Sequence, residues 1–296
     1  MHAELRRGST EWSLLLALSL MWGTGFAFIS VALRSLPPIT VVWIRLTIAA
    51  LVLLAIQLAR GIPLPRERDA WMRFALLGFV GDVLPFCLIG WGMQVVDSSA
   101  AGILMATMPV CTLLLAHLFV TGERLTISRA LGFVLAFTGV VVLIGPEALR
   151  ALGGEPRTAV RQLAVLAGAV CYAVNAILAR RIPPTSPLVL STCSLLAAAA
   201  MMLPLALFAD QPWRLEPSFG ALATTLWLGL VPTALATLAY FRLIASAGPT
   251  FSSLVSFLIP PIAVLTGVVA LGEHLAPSAL VALVLVLAGL ALGQRR

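Results

Sequence analysis

Ten apolar stretches, each of roughly 20 residues, follow one another along the whole chain of 296 residues. Each is long enough for a helix to cross a hydrocarbon core of about 30 Å. Backbone groups in lipid have no water to bond, so every span is expected to be a helix. We predict an all-α integral membrane protein with ten transmembrane helices, at approximately 12–33, 39–59, 71–95, 99–120, 127–146, 160–180, 187–209, 218–245, 250–271 and 276–293.

The second half of the sequence repeats landmarks of the first. Gly122-Glu123-Arg124-Leu125 returns as Gly272-Glu273-His274-Leu275, and the two glutamates are 273 − 123 = 150 residues apart. Pro109 returns as Pro260, 260 − 109 = 151 residues later. The near-constant spacing of several such matches indicates a duplicated five-helix module.

The duplication predicts two halves, residues 1–147 and 158–296, joined by a linker at 148–157. Five helices is an odd number, so the second half enters the membrane in the opposite orientation to the first. Inverted repeats that meet at the bilayer midplane are a common way to build a transporter. We therefore expect two inverted five-helix repeats around a central pathway.

Charge placement orients the chain in the membrane and argues against a nucleic-acid partner. The chain is 60% hydrophobic and 10% charged, whereas soluble domains carry about 25% charged residues. The formal net charge is +7, yet all the basic side chains are arginines and most fall in loops on one side of the predicted membrane. By the positive-inside rule, both termini are predicted to be cytoplasmic.

Asp82 is the acidic residue that the predicted spans place well inside the bilayer. A carboxylate there costs about 2.5–3.5 kcal/mol on insertion scales, so it usually has a reason to be present. It could carry a proton or bind a substrate ammonium group; alternatively it forms a structural hydrogen bond, or lies nearer the interface. Its counterpart in the second half is Thr233.

Arg45 lies near the start of the second span. Its guanidinium could bind a substrate carboxylate through two parallel hydrogen bonds. It could equally reach to the interface or bond the carbonyls of a neighbouring helix.

Prolines mark corresponding helices of the two halves, which predicts that the pathway runs between the third, fourth, eighth and ninth spans. Each proline removes a backbone N–H and leaves a carbonyl oxygen without its donor. Membrane helices tolerate such a break where another group bonds that oxygen or where the helix lines a cavity. The alternative interpretation is that these prolines simply kink their helices. The prolines are Pro85, Pro109, Pro232 and Pro260.

Other candidate pathway residues share helix faces with these positions or carry a polar tip deep in a span, although helix packing explains small, hydroxyl and methionine side chains equally well. They are Trp22, Phe26, Met105, Met108, Tyr172, Asn175, Tyr240, Ser252 and Ser256. The fifth and tenth spans lack this character. We assign these two spans to the scaffold or to a dimer contact. The protein is accordingly predicted to be a monomer or a weak homodimer that pairs through them.

The residues predict no metal site and no cofactor, since the four cysteines have no ligand-like spacing. A membrane-embedded enzyme remains a remote alternative, because paired catalytic groups and a Gly-x-Ser-x-Gly motif are missing from the sequence. With no lysine in the chain, a phosphate-binding Gly-Lys loop is also missing.

Several motifs together resemble the drug/metabolite transporter superfamily, EamA type. They are Trp22-Gly23-Thr24-Gly25-Phe26, Arg45, and the Gly-Glu-x-Leu turn that precedes each Gly-rich closing helix. The resemblance implies a pseudo-symmetric pore in the inner membrane, lined by the first, third, fourth, sixth, eighth and ninth helices. Within that superfamily, exporters of aromatic amino acids are the most similar type.

The sequence thus predicts a secondary transporter that exports small amphipathic metabolites, above all aromatic or other hydrophobic amino acids, by alternating access. A channel-like facilitator and a multidrug exporter are the alternatives.

Overall fold

The computed structural model describes residues 8–119, 127–144, 157–179 and 181–293, and within them the chain is almost wholly helical. Seven helices are long and apolar enough to cross a membrane, and three shorter apolar helices complete the set over the described residues. The helices are α1 (Ser9–Ala32), α2 (Pro38–Ala59), α3 (Arg68–Gly92), α4 (Ser98–Phe119), α5 (Ile127–Ile144), α6 (Arg157–Ala179), α7 (Pro187–Asp210), α8 (Phe219–Ala247), α9 (Val255–Leu271) and α10 (Pro277–Gly293).

Proline starts several of these helices. α2 begins at Pro38 and α7 at Pro187, so their first turns contain a residue whose fixed φ suits a helix and whose missing N–H would be unpaired there anyway. These two prolines are 187 − 38 = 149 residues apart, close to the repeat interval in the sequence.

The duplication is visible in the backbone of the third and eighth helices. α3 contains a π-helical segment at Phe79–Val83, and α8 contains one at Leu230–Leu235, which starts 230 − 79 = 151 residues later. Pro85 and Pro232 lie beside or within these segments and remove the donors that regular α-helical bonding would need. π-helical turns of this kind are frequent at functional sites.

The fourth and ninth helices are interrupted less symmetrically. α4 has a turn at Ala106 and Thr107, just before Pro109. α9 is preceded by a short helix, Pro249–Ser252, and then runs without interruption through Pro260. The interruption near α9 therefore lies several residues before the proline that the sequence marks.

Helix pairs that are related by the duplication pack in the same way. α1 packs against α8 and α9, and α6 packs against α3 and α4. α2 and α7 pack against each other, as do α5 and α10. The predicted fold class, ten helices in two inverted five-helix repeats around a central pathway, is confirmed.

α5 and α10 form a separate pair at the edge of the bundle. A Cβ on Gly289 would lie 2.6 Å from the backbone nitrogen of Ala136 and from the carbonyl oxygen of Gly132, so the two backbones touch. This face is therefore used within the chain as scaffold, and a dimer through α5 and α10 stays a prediction.

Two sequence predictions concern residues outside the described ranges. The predicted linker falls mostly there, so the boundaries 1–147 and 158–296 stay predictions. The turn at Gly122-Glu123-Arg124-Leu125 also lies there, although its counterpart at Gly272 and Glu273 is described.

Candidate functional site: a polar cluster between the two halves

The cluster begins with the hydroxyl of Thr233 in the π-helical segment of α8. Pro232 has no N–H to donate to the carbonyl oxygen of Leu228, four residues earlier. The Thr233 hydroxyl donates to that oxygen instead, at 2.7 Å. The proline break is thus repaired by a side chain, and the Thr233 oxygen keeps lone pairs for another donor.

Arg45 of α2 provides that donor from the other half of the protein. Its Nε donates to Thr233 Oγ1 at 2.7 Å, and its Cζ lies 3.9 Å from the centroid of the Phe86 ring. The guanidinium is therefore held by a hydrogen bond on one side and a cation–π contact on the other. Within the described part of the chain, no group accepts from its two terminal nitrogens, which remain available for a ligand.

Asp82 lies in the π-helical segment of α3 and is half-buried. Its charge interacts with that of Arg45, but among the described residues it has neither a hydrogen bond nor an ion pair within 4 Å. Opposite charges thus face the same region without contacting each other.

Asn175 of α6 lies beside this segment. A Cβ on Gly81 would clash with the Asn175 amide, so the missing side chain at Gly81 leaves room for this amide against α3. The Asn175 Oδ1 is buried and has no hydrogen-bond partner among the residues that the structure describes. An unpaired buried acceptor next to Asp82 is a further polar group that a ligand could satisfy.

Two aromatic pairs flank the charges, and each pair joins one ring from the first half to one ring from the second. Trp22 of α1 lies 5.4 Å from Tyr240 of α8, measured between ring centroids, and Phe86 of α3 lies 6.4 Å from Tyr172 of α6. Trp22 also donates from Nε1 to the carbonyl oxygen of Pro232 at 3.0 Å, which ties α1 to the π-helical segment of α8. Trp22 and Tyr172 occupy counterpart positions, 172 − 22 = 150 residues apart.

The other predicted pathway residues are not all part of this cluster. Phe26 lies close to Gly102 of α4, and Met105 packs against a buried cluster shared by α1, α3 and α6. Met108 and Ser256 are half-buried. Ser252 is buried, and its hydroxyl donates to the carbonyl oxygen of Gly248 at 3.0 Å. The Ser252 hydroxyl is therefore used in a hydrogen bond within its own helical turn.

Phe86 is the cluster residue that sequence reasoning missed. It lies four residues after Asp82 and therefore on the same face of α3. That spacing was a usable signal, but only the folded structure shows Arg45 over the ring.

The arrangement brings a cation, a carboxylate, a hydroxyl and an amide together where α2, α3, α6 and α8 meet, with aromatic rings on two sides. It suits a small solute that has separated charges and an apolar part. Inverted repeats with such a cluster between them define a multi-pass membrane transporter.

The chain belongs to the EamA-like transporter family. That family matches it twice, over residues 10–145 and 161–293. Family membership makes the protein a transporter rather than an enzyme.

Named relatives agree with this assignment. A probable terminal-alkyne amino-acid exporter of Streptantibioticus cattleyicolor is 31% identical over 99% of this chain and 95% of its own length. The uncharacterized inner membrane transporter YedA of Escherichia coli is 27% identical over 88% of this chain and 83% of its own. A solved crystal structure shares the fold with a TM-score of 0.69 at 22% identity, over 97% of this chain and 98% of that one.

Proposed function

We propose that this protein exports small amphipathic amino acids across the bacterial inner membrane by alternating access. The observation that carries the proposal is the Arg45 guanidinium, which Thr233 and Phe86 hold in place. Over the described ranges its terminal nitrogens are free, and the nearby Asp82 carboxylate has no partner. The guanidinium binds the substrate carboxylate through two parallel hydrogen bonds. Asp82 binds the ammonium group.

The substrate side chain lies against the aromatic rings in this proposal. Tyr172 and Phe86 form one wall, and Trp22 and Tyr240 form the other. Flat rings accept aromatic or long aliphatic side chains with little loss of side-chain freedom. The exporter of Streptantibioticus cattleyicolor supports an amino-acid substrate, since its name describes one with an apolar alkyne end.

Orientation follows from the arginine distribution. Both termini are proposed to be cytoplasmic, which places Glu273 and the turn around it on the outer side. Reporter fusions at the two ends test this, and an external signal from the C-terminus would contradict it.

The substrate test is counterflow in proteoliposomes loaded with single amino acids, with labelled phenylalanine, tryptophan, leucine and norvaline outside. Exchange of an aromatic or long aliphatic amino acid is expected. The matching amine without a carboxylate, and the methyl ester, are expected to compete poorly because neither can use both terminal nitrogens of Arg45.

Variants separate the two charged contacts. Arg45→Gln should remove the preference for the free carboxylate over the ester, whereas Arg34→Gln, at an exposed arginine, should keep it. Asp82→Asn should remove the preference for the free amine over its N-acetyl derivative, and transport by this variant across a pH series tests whether Asp82 also carries a proton.

Three outcomes would point elsewhere. Uptake of cationic aromatic drugs with no response to amino acids would replace the proposal with a multidrug exporter that uses Asp82 and the rings. Substrate leak without counterflow would indicate a channel-like facilitator. A folded protein that transports none of these solutes would refute the proposal that it exports amino acids.

A further inference from the structure

Glu273 joins the two halves of the protein at one end of the pathway. It lies in the turn between α9 and α10, and it accepts four hydrogen bonds from the first turn of α4. The backbone nitrogen and the hydroxyl of Ser98 donate to Oε1 at 2.8 and 2.7 Å. The backbone nitrogen of Ser99 donates to Oε2 at 3.0 Å, and its hydroxyl donates to the same oxygen.

The helix to which it binds favours a negative charge at this point. The first N–H groups of α4 have no partners within the helix, and the helix dipole is positive there. Burial raises the pKa of Glu273, but the hydrogen bonds from Ser99 and Ser98 outweigh burial and hold the pKa below its ordinary value. The carboxylate is therefore ionised at neutral pH. Asp97, the neighbouring acid, has its pKa raised by partial burial and by the charge of Glu273.

The close approach of α9 to α4 depends on small residues. A Cβ on Gly267 would clash with the Glu273 carboxylate and with the hydroxyls of Ser98 and Ser99. One helical turn away from this contact, a Cβ on Gly102 would clash with Ala263. Within the described residues, the rest of α4 after its interruption packs mainly against α6 instead of α9.

We propose that the carboxylate of Glu273, bound to Ser98 and Ser99, is the latch that holds this end of the pathway closed. The inference rests on the proposed transport by alternating access, which requires the two halves to separate at one end at a time. α4 belongs to the first half and Glu273 to the second, so opening this end breaks all four hydrogen bonds together. Glu123 is the sequence counterpart of Glu273 and lies outside the described residues.

A labelling experiment tests the latch without a substrate. Met105→Cys, two turns below Ser98 on α4, is the reporter in a chain whose native cysteines are replaced by alanine; these are Cys87, Cys111, Cys171 and Cys193. A membrane-impermeant maleimide is added on the side where Glu273 lies. Glu273→Gln should raise the labelling rate about tenfold, because the amide loses the charge and two of the acceptor positions.

Glu216→Gln is the matched control. Glu216 is an exposed glutamate in the loop before α8, which the predicted topology puts on the same side of the membrane. This control should label at the rate of the unsubstituted reporter protein. Equal labelling rates for Glu273→Gln and Glu216→Gln would overturn the latch.

A second variant guards against loss of folding in Glu273→Gln. Ser99→Ala leaves the Glu273 charge and the two backbone hydrogen bonds in place and removes one hydroxyl donor to Oε2. It should raise the labelling rate at position 105 by a smaller factor than Glu273→Gln does, because three of the four hydrogen bonds remain. A labelling rate for Ser99→Ala equal to that of the Glu216→Gln control would also overturn the proposal. If labelling responds as expected but no amino acid is transported, the latch stands and the proposed substrate class fails.

Discussion

The Thr233 hydroxyl links the proline break in α8 to the position of Arg45, and Thr233→Val tests that link. Valine has nearly the same shape but no hydroxyl. The substitution removes the acceptor of Arg45 Nε and the donor to the Leu228 carbonyl oxygen. Thr233 is only 6% exposed, so water has little access to replace either bond.

The two bonds set the size of the effect. A hydrogen bond to a charged group contributes about 1.5–3 kcal/mol and a neutral one about 1 kcal/mol, and their loss need not be additive. Thr233→Val should therefore lower the free energy of unfolding by about 2–4 kcal/mol. An Arg45 side chain that is no longer held against Phe86 should also weaken substrate binding about tenfold, which corresponds to about 1.4 kcal/mol.

Two further variants make the experiment decisive. Thr237→Val, one turn along α8, removes only a bond to the carbonyl oxygen of Thr233 within the same helix and should change both quantities little. Thr233→Ser keeps the hydroxyl and should restore most of the stability and affinity. Stability is measured by thermal unfolding in detergent, and affinity by counterflow KM. Indistinguishable results for Thr233→Val and Thr237→Val would refute the reasoning.

Three other predictions follow from single contacts. Gly289→Ala should lower the melting temperature by several degrees, because its Cβ would lie 2.6 Å from backbone atoms of α5. Gly220→Ala is the control and should not lower it, since a Cβ there has nothing within 4 Å. Equal melting temperatures for the two variants would show that α5 and α10 accommodate the methyl group. Trp22→Phe should keep the ring contact but lose the hydrogen bond to the Pro232 carbonyl oxygen. Loss of this bond should lower the counterflow rate while the protein stays folded. An unchanged counterflow rate would contradict a role for the bond. The lowered pKa of Glu273 means that its stabilising effect is present above the ordinary glutamate pKa and is lost as the pH falls through the lower folded value. The difference in melting temperature between the natural protein and Glu273→Gln should therefore be present at pH 7 and shrink below about pH 4, and a constant difference would contradict this.

The candidate site was predictable only in part. The composition of α3 singles out Asp82, and its repeat counterpart Thr233 follows from the spacing alone. Arg45 was visible as a charge within the second span, but its partner could not be assigned, because two residues 188 positions apart meet only when α2 packs beside α8. Phe86 looked like any apolar residue of a membrane helix.

Ser252 shows the opposite case. A serine near the start of a predicted span suggests a polar lining, yet its hydroxyl is buried and donates within its own turn. Serine hydroxyls often bond to a carbonyl four residues earlier, and sequence spacing cannot distinguish that use from an open one.

Hydrophobic length and repetition determined the class of this protein, because lipid forces each apolar stretch into a helix and a duplicated odd number of helices inverts the second half. Those effects are local along the chain or periodic within it. Tertiary packing alone decided which side chains share the central cluster and that Glu273 binds the start of α4. Contacts of that kind join residues far apart in sequence, and their geometry depends on small shifts of whole helices, which no local pattern records.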